Sequence, residues 1–247
     1  MDKLYIIIPA INEAENIESV VRDWHYVLER LNLSDSRLVV LESGSKDNTL
    51  EILERLTSEL PYLVVLTEPL NSHGAKVNFG YRYAIEQKAD FIFQTDSDGQ
   101  TLPEEFDAFW NARSVHTAII GHRIHRKDGL NRVFVARVLK FLIYLIYGIN
   151  VPDANTPFRL MSIKKVEQYL RIMPKNYNLT NVMLTIMFIF YKDNIAFLPI
   201  TFRPRQGGVN NTNFKKITKT GFNAIREFYE IKRKMLESVQ NVKKDKF

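Results

Sequence analysis

Cysteine is absent from this 247-residue chain. That excludes a disulfide framework, a thiolate nucleophile and a cysteine-ligated zinc. It fits a reducing compartment, and the expected location is the cytoplasm, either free or peripheral at the cytoplasmic membrane face. Long hydrophobic runs are absent as well. The longest, FLIYLIYGI (141–149) and VMLTIMFIFY (182–191), reach about half the ~20 residues that a bilayer span needs. No leader pattern precedes LYIIIPA, so no signal peptide is expected. There is no repeat and no low-complexity linker. His73, His116, His122 and His125 are scattered without metal-ligand spacing. An acidic excess is lacking too: 34 Lys and Arg stand against 28 Asp and Glu, a net +6. That balance suits phosphates, nucleic acid or an acidic membrane surface. Nucleic acid is disfavoured, because the basic residues carry no interleaved aromatics on a recognisable module.

What is present reads as an ordinary globular protein, 45% hydrophobic and 25% charged, long enough for a substantial core. The first half alternates strand and helix signals. Strand-like runs are LYIIIPA (4–10), RLVVLES (37–43), YLVVLTE (62–68) and ADFIFQTDSD (89–98). Between them lie helical patterns, the first with Ile17, Val20, Val21, Trp24, Val27, Leu28 and Leu31 on one face. Asn12 is placed to cap that helix, with Glu15 as its capping-box partner. The second half predicts a strand at 118–123, a helix over 131–149, a short strand at 158–161, a helix around 166–170, a buried helix at 181–191 and a strand at 195–202. From about 214 onward the pattern is basic and helical, and 213–247 is expected to form a tail beyond a domain spanning 1–212. The βαβ order implies a mostly parallel sheet with helices on both faces.

In such sheets ligands bind outside the carboxyl ends of the strands. The polar candidates fall there: Asn12 and Glu13, Glu42 and Ser43, Asn71, then Asp96 and Asp98 in TDSDGQ. Two readings suit the paired aspartates. They can cap the helix that begins near Pro103, or they can hold a hard divalent cation, with Gln100 as a neutral oxygen ligand. Their position after the fourth strand weighs toward the cation.

The motifs taken in order resemble the family-2 glycosyltransferases of the GT-A fold, and within them the dolichol- and polyprenyl-phosphate sugar synthases. They are IIIPAINEAENI, LNSHGAKVNFGYRYA, TDSDGQTLPEEF, GHR, DANTPFRLMS and LPITFRPRQGG, and the resemblance covers roughly residues 3–210. It implies a GT-A type, Rossmann-like α/β domain with a mostly parallel sheet flanked by helices. It implies a nucleotide-sugar donor, Mg²⁺ or Mn²⁺ as cofactor, and inverting transfer to a polyprenyl or dolichyl phosphate. Pro9, Ala10, Ile11, Glu13, Glu42, Ser43, Lys76, Asp96 and Ser97 would bind the donor. Asp96, Asp98 and Gln100 would hold the metal. Arg123, Arg132 and Arg205 are the acceptor-phosphate candidates, while Arg159 braces its loop. Asp96, Asp98, Asp153 and Arg205 form the expected catalytic set.

The chain departs from the family pattern in three places. Glu42-Ser43-Gly44-Ser45 stands for the usual Asp-Asp-Gly-Ser, so one acid is lost and nucleotide choice is open. Pro157 replaces a glycine before Phe158-Arg159, which stiffens that turn. GGVNN replaces a Gly-x-Ser-Lys and removes a lysine. The stretch 178–183, where relatives that glycosylate hydroxyls carry an acidic base, has no carboxylate. A hydroxyl acceptor needs a base and an ionised phosphate does not, so the sequence leans toward a phosphate acceptor. Transfer to a saccharide hydroxyl with Asp153 as base, and a catalytically silent nucleotide-binding module, are the alternatives. The helix at 131–149 suits either a core position or a membrane interface, and the basic tail either anionic headgroups or solvent.

Overall fold

Every residue of the first strand, Leu4–Ala10 (β1), is buried, as befits a parallel strand covered on both faces. Its side chains alternate between two cores. Tyr5 and Ile7 face one, and Leu4, Ile6, Ile8 and Ala10 face the other. The computed structural model describes residues 2–70, 72–124, 130–205 and 214–244, and the side chains of all of these except 130–134, 214–223 and 241–244. Asn71, the Arg132 side chain and the GGVNN segment lie outside that description.

The elements follow as α1 (Ile17–Leu31), β2 (Arg37–Glu42), α2 (Thr49–Glu59), β3 (Leu63–Thr67), α3 (His73–Glu86) and β4 (Phe91–Gln94). A 3₁₀ turn at Pro103–Glu105 leads into α4 (Phe106–Ala112) and β5 (Ala118–Arg123). Then come α5 (Leu130–Tyr147), β6 (Arg159–Ser162), α6 (Ile163–Leu170), α7 (Thr180–Phe190), β7 (Ile195–Ile200) and α8 (Phe214–Lys244). The sheet order is β3-β2-β1-β4-β6-β5-β7. Every pairing is parallel except those of β6, which runs against β4 and β5. The expected mostly parallel sheet is present, with β6 as an antiparallel strand that the sequence pattern did not announce.

Helices α1, α2 and α4 cover one face, around Trp24, Phe93, Phe106 and Phe158. Phe93 sits edge-on to Phe158 at 4.7 Å between ring centroids. The other face carries α3, α6 and α7 with the inner sides of α5 and α8. Phe228, Ile231 and Met235 of α8 are buried in that core, so the inner face of the basic C-terminal helix is apolar and packed. Ile143 and Ile146 anchor α5, while Val138, Phe141, Tyr144 and Leu145 face outward, 41–64% exposed. Among the described residues no helix is long and apolar enough to cross a membrane.

The cap of α1 differs from expectation. The helix begins after Asn16, which makes no side-chain cap bond. Asn12 has left-handed backbone (φ 53°). Its carboxamide oxygen accepts from the Lys46 backbone N–H at 2.7 Å, and its own N–H donates to Ser45 Oγ at 2.9 Å. Asn12 is drawn away from α1 because it ties the loop after β1 to the loop after β2.

Candidate active site

The carboxyl ends of β1, β2 and β4 lie side by side, because β1 pairs with both neighbours. Ser97, just past β4, donates its hydroxyl to the Pro9 carbonyl at 2.9 Å. Lys76 on α3 is buried and points its Nζ at the Ala10 carbonyl, 3.5 Å away. The crevice therefore brings Pro9, Ala10, Lys76 and Ser97 together, with Ile11 on the rim, 43% exposed. Burial lowers the Lys76 pKa from its ordinary value, while the nearby charges of Glu42 and Glu13 oppose that shift.

Glu42 turns back on its own loop. Its carboxylate accepts the N–H groups of Gly44 (3.0 Å) and Ser45 (2.6 Å). Burial works against its charge, yet the bonds from Ser45 and the loop backbone prevail and hold its pKa below the usual value. Gly44 has φ +75°, which suits this tight return. Next to it the Ser43 hydroxyl is buried and has no hydrogen-bond partner. An orphaned buried hydroxyl at a strand end is a natural contact for a ligand.

Glu13 is held by three neighbours: its backbone N–H donates to Thr49 Oγ1 at 2.9 Å, and its carboxylate accepts from Asn16 at 3.2 Å and from Arg205 at 2.6 Å. Burial nonetheless raises its pKa. Arg205 thus reaches from beyond β7 to the β1 loop, and its charge is also felt at Asp98.

Asp98 is the most perturbed of the site's carboxyls. Burial, and then the charge of Asp96, push its pKa up to about 7. The Gln100 N–H, at 3.2 Å from its Oδ1, and Arg205 pull the other way. A carboxyl whose charge is disfavoured by burial and by a second acid two residues away fits a divalent cation, which would offset both. Among the described residues no group of three His, Cys, Asp or Glu gathers around them. The Gln100 side-chain nitrogen donates to the Arg203 carbonyl at 2.7 Å, and the Gln100 backbone carbonyl accepts the Arg203 N–H at 2.8 Å. It ties the aspartate loop to the segment after β7.

Two other candidates form a pair of their own. Arg123 grips both oxygens of Asp153, at 2.7 and 3.0 Å, and both side chains are nearly buried. Arg159 is fully buried and braces its loop, donating to the carbonyls of Ala154, Thr156 and Asn181 and to Thr185 Oγ1.

Two side chains that meet Asp96, and a third behind them, were not singled out from the sequence as parts of the site. Gln94 donates to Asp96 Oδ1 at 3.0 Å, Asn181 supports Gln94, and the half-exposed His73 brings its Nε2 within 3.6 Å. The available signal was a polar residue inside an apolar run, Gln94 in FIFQ and Asn181 in NVMLTIMFIF, because buried amides need partners.

Fold and site together define a class, the α/β proteins with a polar crevice at the carboxyl ends of parallel strands. Residues 5–170 match the model of Glycosyl transferase family 2, and the chain belongs to that family. It is 27% identical over 194 residues to the UDP-N-acetylglucosamine–dolichyl-phosphate N-acetylglucosaminyltransferase of Methanococcus voltae, covering 69% of this chain and 75% of that one. It is 35% identical over 103 residues to the succinoglycan biosynthesis protein ExoA of Rhizobium meliloti, 41% of this chain and 29% of that one. It is 26% identical over 174 residues to the dolichyl-phosphate beta-glucosyltransferase ALG5C of Trichomonas vaginalis, 63% of this chain and 50% of that one. The chain therefore spans half or less of the length of the last two. Glucosyl-3-phosphoglycerate synthase of Mycobacterium tuberculosis, solved with Mn²⁺ and UDP-glucose, shares the fold with a TM-score of 0.66 at 16% identity, covering 93% of this chain and 79% of that one. The architecture is thus of the GT-A type.

Proposed function

We propose that this chain moves a hexose from a nucleoside-diphosphate sugar onto the phosphate of a polyprenyl or dolichyl lipid. The observation that carries the reading is the Asp96–Asp98 pair, within reach of the Arg205 charge, at the carboxyl ends of parallel strands. Asp96 and Asp98 would hold Mg²⁺ or Mn²⁺. When bound, the ion supplies positive charge against the charge that develops on the departing diphosphate. Pro9, Ala10, Ile11, Glu13, Ser43 and Ser97 form the wall for base and ribose, with Glu42 shaping the loop. Arg205, between Glu13 and Asp98, serves the phosphates. A phosphate oxygen of the acceptor forms its bond to the anomeric carbon as the bond to the diphosphate oxygen breaks on the opposite face. The electron pair leaves with the nucleoside diphosphate, and the configuration inverts. The acceptor is already ionised and needs no base. That matches the absence of a carboxylate at 178–183 and the engagement of Asp153 by Arg123. Relatives named for dolichyl-phosphate transfer support the acceptor class. The outward face of α5 supplies a contact for the membrane in which such a lipid sits.

A second reading, transfer to a saccharide hydroxyl, is favoured by the succinoglycan relative. It requires Asp153 to leave Arg123 and act as base. Calorimetric titration with UDP, GDP, CDP and dTDP, with and without Mn²⁺, followed by transfer of labelled sugar, tests both readings. The expected result is cation-dependent binding of one diphosphate, lost in Asp98→Ala, and label in the lipid-phosphate fraction. Label on a saccharide hydroxyl would establish the second reading. No binding of any diphosphate would leave a silent module.

A further inference from the structure

Gln94 ends β4 two residues before Asp96, and its side chain is fully buried. A carboxamide without water is oriented by its neighbours. The Gln94 oxygen accepts from Asn181 Nδ2 at 2.8 Å. Its nitrogen therefore points the other way, donating to Asp96 Oδ1 at 3.0 Å and to the Thr95 carbonyl at 3.2 Å. Asn181 on α7 is 4% exposed and is oriented in turn, because its Oδ1 accepts the Tyr81 hydroxyl at 3.0 Å. Tyr81 on α3 is fully buried. Burial raises its pKa far above the ordinary value, which keeps the phenol a donor. The donors all run one way, from Tyr81 to Asn181 to Gln94 to Asp96.

We propose that Tyr81, Asn181 and Gln94 are positioning residues, a hydrogen-bond chain through α3, α7 and β4 that aims Asp96 at the donor-bound cation. The proposal rests on the reading that Asp96 and Asp98 hold that cation. A carboxylate fixed before binding loses little freedom when the cation arrives, and groups that orient metal ligands typically change affinity by about 10–100-fold. The polar residue on α7, in the stretch where a catalytic base is missing, thus has a task of its own. It orients a ligand and touches no substrate.

The direction of the chain supplies the test. Asn181→Asp is nearly isosteric but can only accept. Gln94 would then lose the donor to its oxygen, and its amide would turn over to bring that oxygen against Asp96. Mn²⁺ binding is measured by electron paramagnetic resonance, alone and with the four nucleoside diphosphates, beside the melting temperature in chelator. The expected result is Mn²⁺ affinity about 10–100-fold weaker in Asn181→Asp, and a smaller loss in the same direction in Tyr81→Phe at a near-native melting temperature. Undiminished affinity in a folded Asn181→Asp overturns the proposal while leaving the cation site intact. If that variant does not fold, Tyr81→Phe decides: unchanged affinity, with Gln94 side-chain amide protons as protected from exchange as in the wild type, overturns it equally. Failure of the wild type to bind Mn²⁺ under any of these conditions removes the cation reading and this proposal together.

Discussion

A carboxyl held near pH 7 beside a second acid makes the apo crevice sensitive to pH in a direction opposite to most carboxylates. Asp98 has its pKa raised to about 7 in the folded chain, by burial first and by Asp96 second, whereas an unfolded aspartate titrates near 3.9. Between those values the folded state keeps a proton that the unfolded state has lost. By linkage, the contribution of Asp98 to stability falls as pH rises from about 4 to about 7 and is level above that. Asp98→Asn removes the titration. In chelator, wild-type stability relative to Asp98→Asn should therefore decline between pH 5 and pH 7.5, measured by urea unfolding at each pH. Parallel curves for the two proteins would contradict the assignment. Divalent cation should flatten the wild-type curve, since it binds the ionised form. The pairing of Asp96 with Asp98 was legible in TDSDGQ because the residues are adjacent and end a strand. The orientation of Glu42 toward its own loop, the Arg123–Asp153 grip and the left-handed Asn12 were not legible. Each depends on where a loop returns, and residue periodicity carries no information about that.

At the scale of elements, α3 shows how a helix can be aimed by what it lacks. A Cβ on Gly74 would lie 1.9 Å from the Asn178 carbonyl oxygen and 2.3 Å from its carbon. One on Gly80 would meet the side chains of Ile7 and Leu41 at 2.6 and 2.7 Å. The first obstacle is backbone and the second is flexible side chain. Gly74→Ala must displace the loop before α7, where Thr180 Oγ1 donates to the Gly74 carbonyl at 3.0 Å. Gly80→Ala meets movable methyls and gains up to about 1 kcal/mol in helix propensity. Gly74→Ala should lose several kcal/mol and Gly80→Ala about 1–2 kcal/mol, in the range of overpacked cores, measured by urea denaturation. The reverse order would mean that the loop yields more readily than the sheet. Such contacts were invisible in LNSHGAKVNFGYRYA, because a sequence does not show which backbone or side chain will pack against a helix. The strands and helices themselves were legible, because apolar runs and one-sided patterns follow from two-sided burial of a parallel sheet. The reversed direction of β6 was not, since a four-residue run has the same pattern whichever way it runs.

At the scale of the whole molecule, the layers formed by the described residues leave apolar side chains of α5 exposed. The inner sides of α5 and α8 fill the second core. The outer side of α5 presents Phe141, Tyr144 and Leu145 at 62–64% exposure, and α5 has no Asp or Glu anywhere along it. Arg137 and Lys140 are exposed on the same helix, and the chain carries a net +6. Aromatic and aliphatic side chains with basic neighbours and no acid are the composition of a helix lying in a lipid interface, and a lipid-linked acceptor places its phosphate at that boundary. On the proposed reading two forces would act together, insertion of the apolar side chains and attraction of the basic residues to anionic headgroups at about 1 kcal/mol per residue near the surface. Phe141→Glu with Leu145→Glu removes the first and opposes the second, while both positions lie outside the packed core. Co-sedimentation with vesicles of anionic phospholipid should show the double variant bound at least tenfold more weakly than the wild type, at the same melting temperature. Wild-type binding should weaken in high salt, because headgroup attraction is screened, yet persist in part through the apolar contact. Vesicle binding unchanged by the double substitution would move the membrane contact off α5. Binding abolished by salt alone would reduce it to the basic residues.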